Sequence, residues 1–185
     1  MNFLHFTPTD VGQYRIAILV NKIRKDDIIK EYLKPFGINQ DDVIVLDLHQ
    51  TPGKKKTTAA EMKRYINEEL QGVLDDLKIE YVLCADAEYF KALTKAPKAD
   101  ANIGYIMDST YGAQKVAYIP NFVNVFYDPE KVRAKIAQTV IAVQSSLRII
   151  STPSRAFGNG FSSCSRCLSC PVTLRHSASS TIQQA

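Results

Sequence analysis

The chain has 185 residues, of which 45% are hydrophobic, and this is enough for one globular domain of ordinary size plus a short extension. No apolar run reaches the roughly 20 residues that a membrane-spanning helix needs. The first residues have neither the basic nor the apolar region of a signal peptide. We therefore expect an intracellular protein without a membrane segment.

Charge is distributed unevenly along the chain. Residues 1–130 contain 16 Lys and Arg against 19 Asp and Glu, whereas residues 131–185 contain seven Lys and Arg and no acidic residue. The net charge of +4 therefore arises at the C-terminal end. The first part lacks the strongly basic character of an autonomous nucleic-acid-binding protein. This asymmetry indicates two segments of different kinds.

Strand and helix signals alternate over residues 1–150, which predicts a three-layer α/β domain with a mostly parallel central sheet of about four strands. A capping-box pattern at Thr58 and Glu61 begins what we expect to be the longest helix, near residues 58–77. The predicted strands lie at residues 15–21, 42–48, 80–84, 103–107 and 115–119. The other predicted helices lie at residues 26–34, from Asp86 to near Pro97, and from Asp128 onward.

Residues 151–185 contain nine serines, no acidic residue and no hydrophobic periodicity, which predicts a disordered tail rich in Ser, Cys and Arg. Two consecutive CxxC steps in this tail, with a later histidine, have the residue types of a Cys3His zinc site. The alternative is an incidental cluster, which we favour because nothing around it predicts a fold. We therefore expect no metal and no cofactor. The residues of the cluster are Cys164, Cys167, Cys170 and His176.

Two basic loops follow the first two predicted strands. In a doubly wound sheet both loops lie at the carboxyl edge, where ligands bind. The second loop also precedes a helix N-terminus, which favours anions. The alternative is a pair of exposed loops kept soluble by their charge. The candidates for DNA contact are Lys22, Arg24 and Lys25 in the first loop, and Lys54, Lys55 and Lys56 in the second.

The sequence shows no catalytic constellation. It has no GxSxG nucleophile motif, and its second basic loop lacks the glycine spacing of a Walker A motif. His5 and His49 are isolated, and structural roles are expected for both. Adjacent acidic residues stand at the ends of predicted elements, where they do not form a shared metal site.

The order of landmarks resembles that of the uracil-DNA glycosylase superfamily, which implies a glycosylase-like α/β fold. The catalytic positions differ. This chain has 21–25 (Asn-Lys-Ile-Arg-Lys) where that family has its water-binding loop, and Pro120-Asn121-Phe122 where it has its anion-stabilising histidine. The resemblance therefore implies a degenerate fold without the electrostatic stabilisation that catalysis requires. The matching stretches are residues 36–45, 52–77, 81–94 and 116–132.

A second set of segments resembles the region ahead of the exonuclease domain in family A DNA polymerases of podovirus-type tailed phages. These segments are residues 85–94, 104–107, 118–122 and 125–136. The resemblance implies a role in DNA replication in the cytoplasm of an infected bacterium. It implies DNA and phage replication proteins, such as polymerase or single-strand-binding protein, as partners. In that family the chain continues with acidic metal-binding motifs, whereas here it passes into the acid-free tail.

The sequence therefore favours a non-catalytic N-terminal module of a phage DNA polymerase, a truncated or frameshifted product, with Asn121 as a further DNA-contact candidate. One alternative is a divergent glycosylase-like enzyme that acts on DNA bases through the loops at 21–25 and 120–124. Another is a folded remnant without function. No catalytic residue is predicted for this chain alone.

Overall fold

A computed structural model describes residues 2–6, 14–50 and 57–151. Within these residues it contains six strands: β1 Phe3–His5, β2 Ile16–Val20, β3 Val43–Asp47, β4 Tyr81–Cys84, β5 Ile106–Asp108 and β6 Lys115–Tyr118. The α-helices are α1 Lys25–Ile28, α2 Ala59–Tyr65, α3 Gln71–Asp76, α4 Ala87–Thr94 and α5 Pro129–Ser151. Helix α1 continues through a π-helical turn, Ile29–Leu33, into a 3-10 turn, Lys34–Phe36, and a second π-helical turn, Ile66–Leu70, joins α2 to α3.

The six strands form one sheet in the order β1-β3-β2-β4-β6-β5. The four central strands are parallel, as the alternating pattern predicts, whereas β1 and β5 pair antiparallel at the two edges. The prediction of about four strands is therefore correct for the centre and too low for the whole sheet. The edge strand β1 has only three residues and is partly exposed, so it lacks the buried apolar run by which the central strands were recognised.

Helices cover both faces of the sheet, which confirms the mixed α/β class. Alternate side chains of each strand point to opposite faces, and two separate hydrophobic clusters result. The first face packs against α2, α3 and α4, and the second packs against α1, its continuation and α5. Side chains of β2 illustrate the division, because Ala17 and Leu19 join the first cluster whereas Ile16, Ile18 and Val20 join the second.

The start of α2 is the one that the sequence predicts, but the prediction of the longest helix is wrong. Thr58 and Glu61 form a complete capping box, in which the hydroxyl accepts from the Glu61 amide and the carboxylate accepts from the Thr58 amide. The helical run that follows ends at Asp76, whereas α5 extends over 23 residues.

One predicted strand is displaced. The run at residues 103–107 forms β5 only from Ile106, and Ile103 makes an isolated parallel bridge with Tyr118. Gly104 stands between them with a φ of +80°, in the left-handed region that glycine tolerates, and this turn separates the bridge from the strand.

Among the described residues, none of the helices combines the length and hydrophobicity that a membrane crossing requires. The predicted tail beyond Ser151, with its cysteine cluster, lies outside the described residues, and so does the loop at residues 51–56.

Candidate functional site at the carboxyl edge of the sheet

The carboxyl ends of the four parallel strands meet at one edge of the sheet. From β2 the chain moves to β3 on one side, and β4 then lies on the other side of β2. The strand order therefore reverses between β2 and β4, and this switch point is where open parallel sheets bind their ligands. The residues that follow the strands here are Asn21, Leu48, Ala85 and Ile119.

A hydrogen bond joins the loop after β2 to the loop after β4 at the switch point. The side-chain amide of Asn21 donates to one carboxylate oxygen of Asp86 over 2.9 Å. The other oxygen of Asp86 accepts from the backbone amides of Glu88 and Tyr89, both at 2.9 Å, and so caps α4. The Asn21 side chain, which belongs to the loop that the glycosylase resemblance assigns to catalysis, is thus bonded into the fold.

A polar cleft of about 270 Å³ opens beside the end of β3. Two tyrosines hold the backbone at its wall: Tyr65 donates its hydroxyl to the carbonyl of Asp47 over 2.9 Å, and Tyr89 donates to the carbonyl of His49 over 2.7 Å. Burial raises the pKa of both hydroxyls, so they remain neutral donors. The ring of His49 stacks on Tyr65 at a centroid distance of 5.6 Å, which fits the predicted structural role. The cleft is lined by Asn2, Asn21, Asp47, Leu48, His49, Gln50, Tyr65 and Glu69.

The loop after β6 is fixed by one buried tyrosine. The hydroxyl of Tyr32 donates to the carbonyl of Pro120 and accepts from the amide of Phe122, in both cases over 2.8 Å. Burial raises the pKa of this hydroxyl, although the bond from the Phe122 amide opposes the effect. The side chain of Asn121 accepts from the amide of Val123 and caps the 3-10 turn Phe122–Phe126. Asn121, a predicted DNA contact, therefore has a structural role here.

The candidate cations of the first loop lie at this edge, directly after β2. Lys22 and Lys25 are exposed, and the guanidinium of Arg24 lies 3.6 Å from the carboxylate of Asp27. Lys54, Lys55 and Lys56 lie outside the described residues, so the structure does not test whether the two basic loops meet.

A second cleft, of about 310 Å³, lies between α1 and the start of α5. An ion pair forms one wall, because Nε and Nη2 of Arg133 each donate to an oxygen of Glu31 over 2.8 Å. These bonds lower the pKa of the Glu31 carboxyl, although burial opposes the shift. The cleft is lined by Asp27, Lys30, Glu31, Phe122, Val125, Phe126, Pro129 and Arg133.

Metal-ligating side chains do not gather in groups of three or more anywhere in the described part of the chain. Cys84 is buried in β4, and its thiol donates to the carbonyl of Asp86 over 3.2 Å. Burial raises the pKa of this thiol, so Cys84 stays protonated and is a poor nucleophile. Cys164, Cys167, Cys170 and His176 lie outside the described residues.

The sequence did not predict the hydrogen bonds of three tyrosine hydroxyls, nor one ion pair, that organise this edge. The sequence places Tyr32, Tyr65 and Tyr89 on apolar stripes, which is correct for their rings. It gives no signal for the backbone groups that their hydroxyls reach, nor for the contact between Glu31 and Arg133, 102 residues apart.

Comparison with known proteins does not assign the chain to a family. No protein-family model matches the chain, and a search of curated proteins finds no match. Any function must therefore be argued from the site itself and from the resemblances in the sequence.

Proposed function

We propose that the chain is a non-catalytic module of phage DNA replication, of the kind found at the front of a DNA polymerase, which contacts DNA through the carboxyl edge of its sheet. The resemblance to the phage polymerases supports the replication role. Its four segments belong to neighbouring parts of the molecule: the end of β4 with α4, the turn before β5, the end of β6, and the start of α5.

One observation carries the non-catalytic part of the proposal. In the two loops that the glycosylase resemblance assigns to chemistry, polar groups are already bonded within the fold. Asn21 donates to Asp86, and Tyr32 takes up both the carbonyl of Pro120 and the amide of Phe122. Groups held in this way stabilise the folded loops and are not turned towards a developing charge, as catalysis would require.

The electrostatics support the DNA contact. Lys22 and Lys25 are exposed directly after β2, at the edge where ligands of parallel sheets bind. Few cations are involved, so binding should be weak and largely electrostatic, with a shallow salt dependence set by a small number of phosphate contacts. Phage polymerase and single-strand-binding protein are proposed as additional partners.

Salt titration of DNA binding tests the proposal. We expect replacement of Lys22 and Lys25 by Gln to lower the slope of log K against log salt by roughly 1.4 on single-stranded DNA, about 0.7 for each lost phosphate contact. Fluorescence anisotropy with a labelled oligonucleotide measures this slope. The matched control is the pair Lys63→Gln and Lys98→Gln, both exposed on segments that pack against the first face of the sheet, away from α1, and this pair should leave the slope unchanged. Salt-independent binding, or equal slopes in both double variants, would contradict the proposal.

A divergent glycosylase-like enzyme is the second candidate, and the polar cleft beside His49 favours it. The cleft places the exposed imidazole of His49 and the carboxylate of Asp47 at the edge where a base would enter. An assay for uracil release from single-stranded DNA, with protein in excess over substrate, separates the two functions. The leading proposal expects no release above the rate without protein, whereas release that disappears in His49→Ala would establish the enzyme instead.

A further inference from the structure

The short segment between β6 and α5 exposes two aromatic rings. Phe126 is 72% exposed and Tyr127 is 85% exposed, whereas Phe122 and Val125 of the same segment are buried in the second hydrophobic cluster. The segment therefore has an inner side that attaches it to the sheet and an outer side that offers rings to the solvent. Two consecutive exposed rings give this segment an apolar outer surface of the kind that interaction sites use.

The backbone that presents these rings is well fixed. Asn121 caps the segment, and Tyr32 bonds to the residues on both sides of Asn121. The amides of Tyr127 and Asp128 both donate to the carbonyl of Asn124, at 3.1 and 3.2 Å. A partner that binds here has little backbone to order, which reduces the entropic cost of binding.

Positive charge adjoins the rings. The cleft of about 310 Å³ extends from Phe126 to Lys30 and Arg133. Its two carboxylates are already neutralised, since Glu31 pairs with Arg133 and Asp27 pairs with Arg24. Lys30 forms no ion pair within the described residues, so it supplies the charge that remains for a partner.

The excess of positive charge extends over the whole helical layer on this face of the sheet. The helical segments on this side, Lys25–Phe36 and Pro129–Ser151, contain seven Lys and Arg against four Asp and Glu. Those on the other side, Ala59–Asp76 and Ala87–Thr94, contain three against six. The exposed rings therefore stand on the side of the sheet that attracts a polyanion.

We propose that this surface binds single-stranded DNA, with bases stacked on Phe126 and Tyr127 and the phosphate backbone beside Lys30. The inference rests on the proposed function and specifies the form of DNA and the residues that contact its bases. Exposed rings beside cations are the recognition chemistry of single strands, whose bases have free faces. A duplex keeps its bases stacked on one another and cannot use the rings in this way.

A fluorescent reporter at the surface tests the inference directly. The chain contains no tryptophan, so Phe126→Trp introduces a single indole. We expect a single-stranded oligonucleotide to quench its emission to less than half, whereas a duplex of the same sequence leaves the emission nearly unchanged. Phe3→Trp is the matched control, because Phe3 is 63% exposed on β1, at the opposite edge of the sheet, and should not be quenched.

Affinity measurements complete the test. Phe126→Ala with Tyr127→Ala should weaken binding to the single strand about tenfold or more, since each stacked base contributes substantially. Phe3→Ala should change it less than twofold. Because both rings are exposed, the double variant should keep the unfolding midpoint of the wild type in urea. An unchanged midpoint would show that the loss of affinity does not come from unfolding.

The possible failures are distinguishable. If wild-type protein binds DNA with the salt dependence given above but the ring variants bind equally well, the stacking surface is refuted and the proposed function stands. If wild-type protein binds no DNA, both are refuted. If sedimentation shows a dimer that Phe126→Ala dissociates, a second copy of the chain covers the surface and the inference is wrong.

Discussion

The two helical layers bury similar hydrophobic surfaces against one sheet but differ in their polar bonds. In the α1/α5 layer these bonds join distant parts of the chain: Tyr32 to Pro120 and Phe122, Glu31 to Arg133, and Gln144 to the carbonyl of Phe36, over 88 to 108 residues. In the α2–α4 layer most of the bonds are shorter in range, from the capping box at Thr58, over 3 residues, to the bond between Gln71 and Gln114, over 43, although the bond from Asn21 to Asp86 at the cap of α4 spans 65.

This difference shows where the fold controls the geometry of its loops. The long-range bonds of the α1/α5 layer fix the loop after β6 and the start of α5, which together present the exposed rings. The α2–α4 layer is supported more by local bonds, and its tyrosines leave an open cleft at the end of β3. Hydrophobic burial alone does not distinguish the two sides, whereas charge and long-range hydrogen bonds do.

The largest loss of stability is expected from removal of the Tyr32 hydroxyl. Tyr32→Phe keeps the ring but leaves the carbonyl of Pro120 and the amide of Phe122 without their partner, so the free energy of unfolding should fall by about 2–4 kcal/mol. Tyr65→Phe, the counterpart in the other layer, breaks one part-buried bond and should cost about 1 kcal/mol. Urea unfolding measures both. Equal losses would remove the proposed distinction between the layers.

A smaller, pH-dependent effect is expected at Glu31. Arg133 lowers the pKa of Glu31 below its ordinary value of 4.5, so the folded carboxyl stays ionised where the unfolded one takes up a proton. The pair therefore contributes its stability above pH 4.5 and loses it as the pH falls through the lower, folded-state pKa. Glu31→Gln should cost about 1–2 kcal/mol at pH 7, and this difference from wild type should shrink towards pH 3.

The control for this prediction is Glu68→Gln. Glu68 is exposed and lies 3.8 Å from Arg64 on the other layer, in a pair one helical turn apart. Its replacement should change stability little at either pH, because solvent screens such pairs. Thermal unfolding of both variants at pH 7 and pH 3 makes the comparison, and parallel pH profiles for Glu31→Gln and wild type would contradict it.

The smallest effect is expected at the cap of α2. Thr58→Ala removes the hydroxyl that accepts from the Glu61 amide and should lower stability by about 1 kcal/mol. Thr58→Ser keeps the hydroxyl and should recover most of the loss. The effect should be confined to the α2–α4 layer, so amide hydrogen exchange should quicken in α2 and stay unchanged in α5.

Local signals in the sequence were sufficient to predict those elements that depend only on their own residues. The capping box at Thr58, the cap at Asp86 and the central strands follow from short-range chemistry, and the structure confirms them. The edge strand β1 was not found in this way, because its three residues carry no hydrophobic period and it exists only through pairing with β3. The edge strand β5 was predicted at residues 103–107 but begins only at Ile106, where it pairs with β6.

The candidate site also has a part that the sequence predicted and a part that it did not. The sequence by itself placed Lys22, Arg24 and Lys25 after the first strand, because the end of a buried apolar run is visible in composition. Only the tertiary structure decided that Tyr32 closes the loop after β6 and that Arg133 meets Glu31. Apolar periodicity fixes which face of a helix is buried, whereas the partner of a polar group depends on how distant segments pack, and that is settled only when the sheet is assembled.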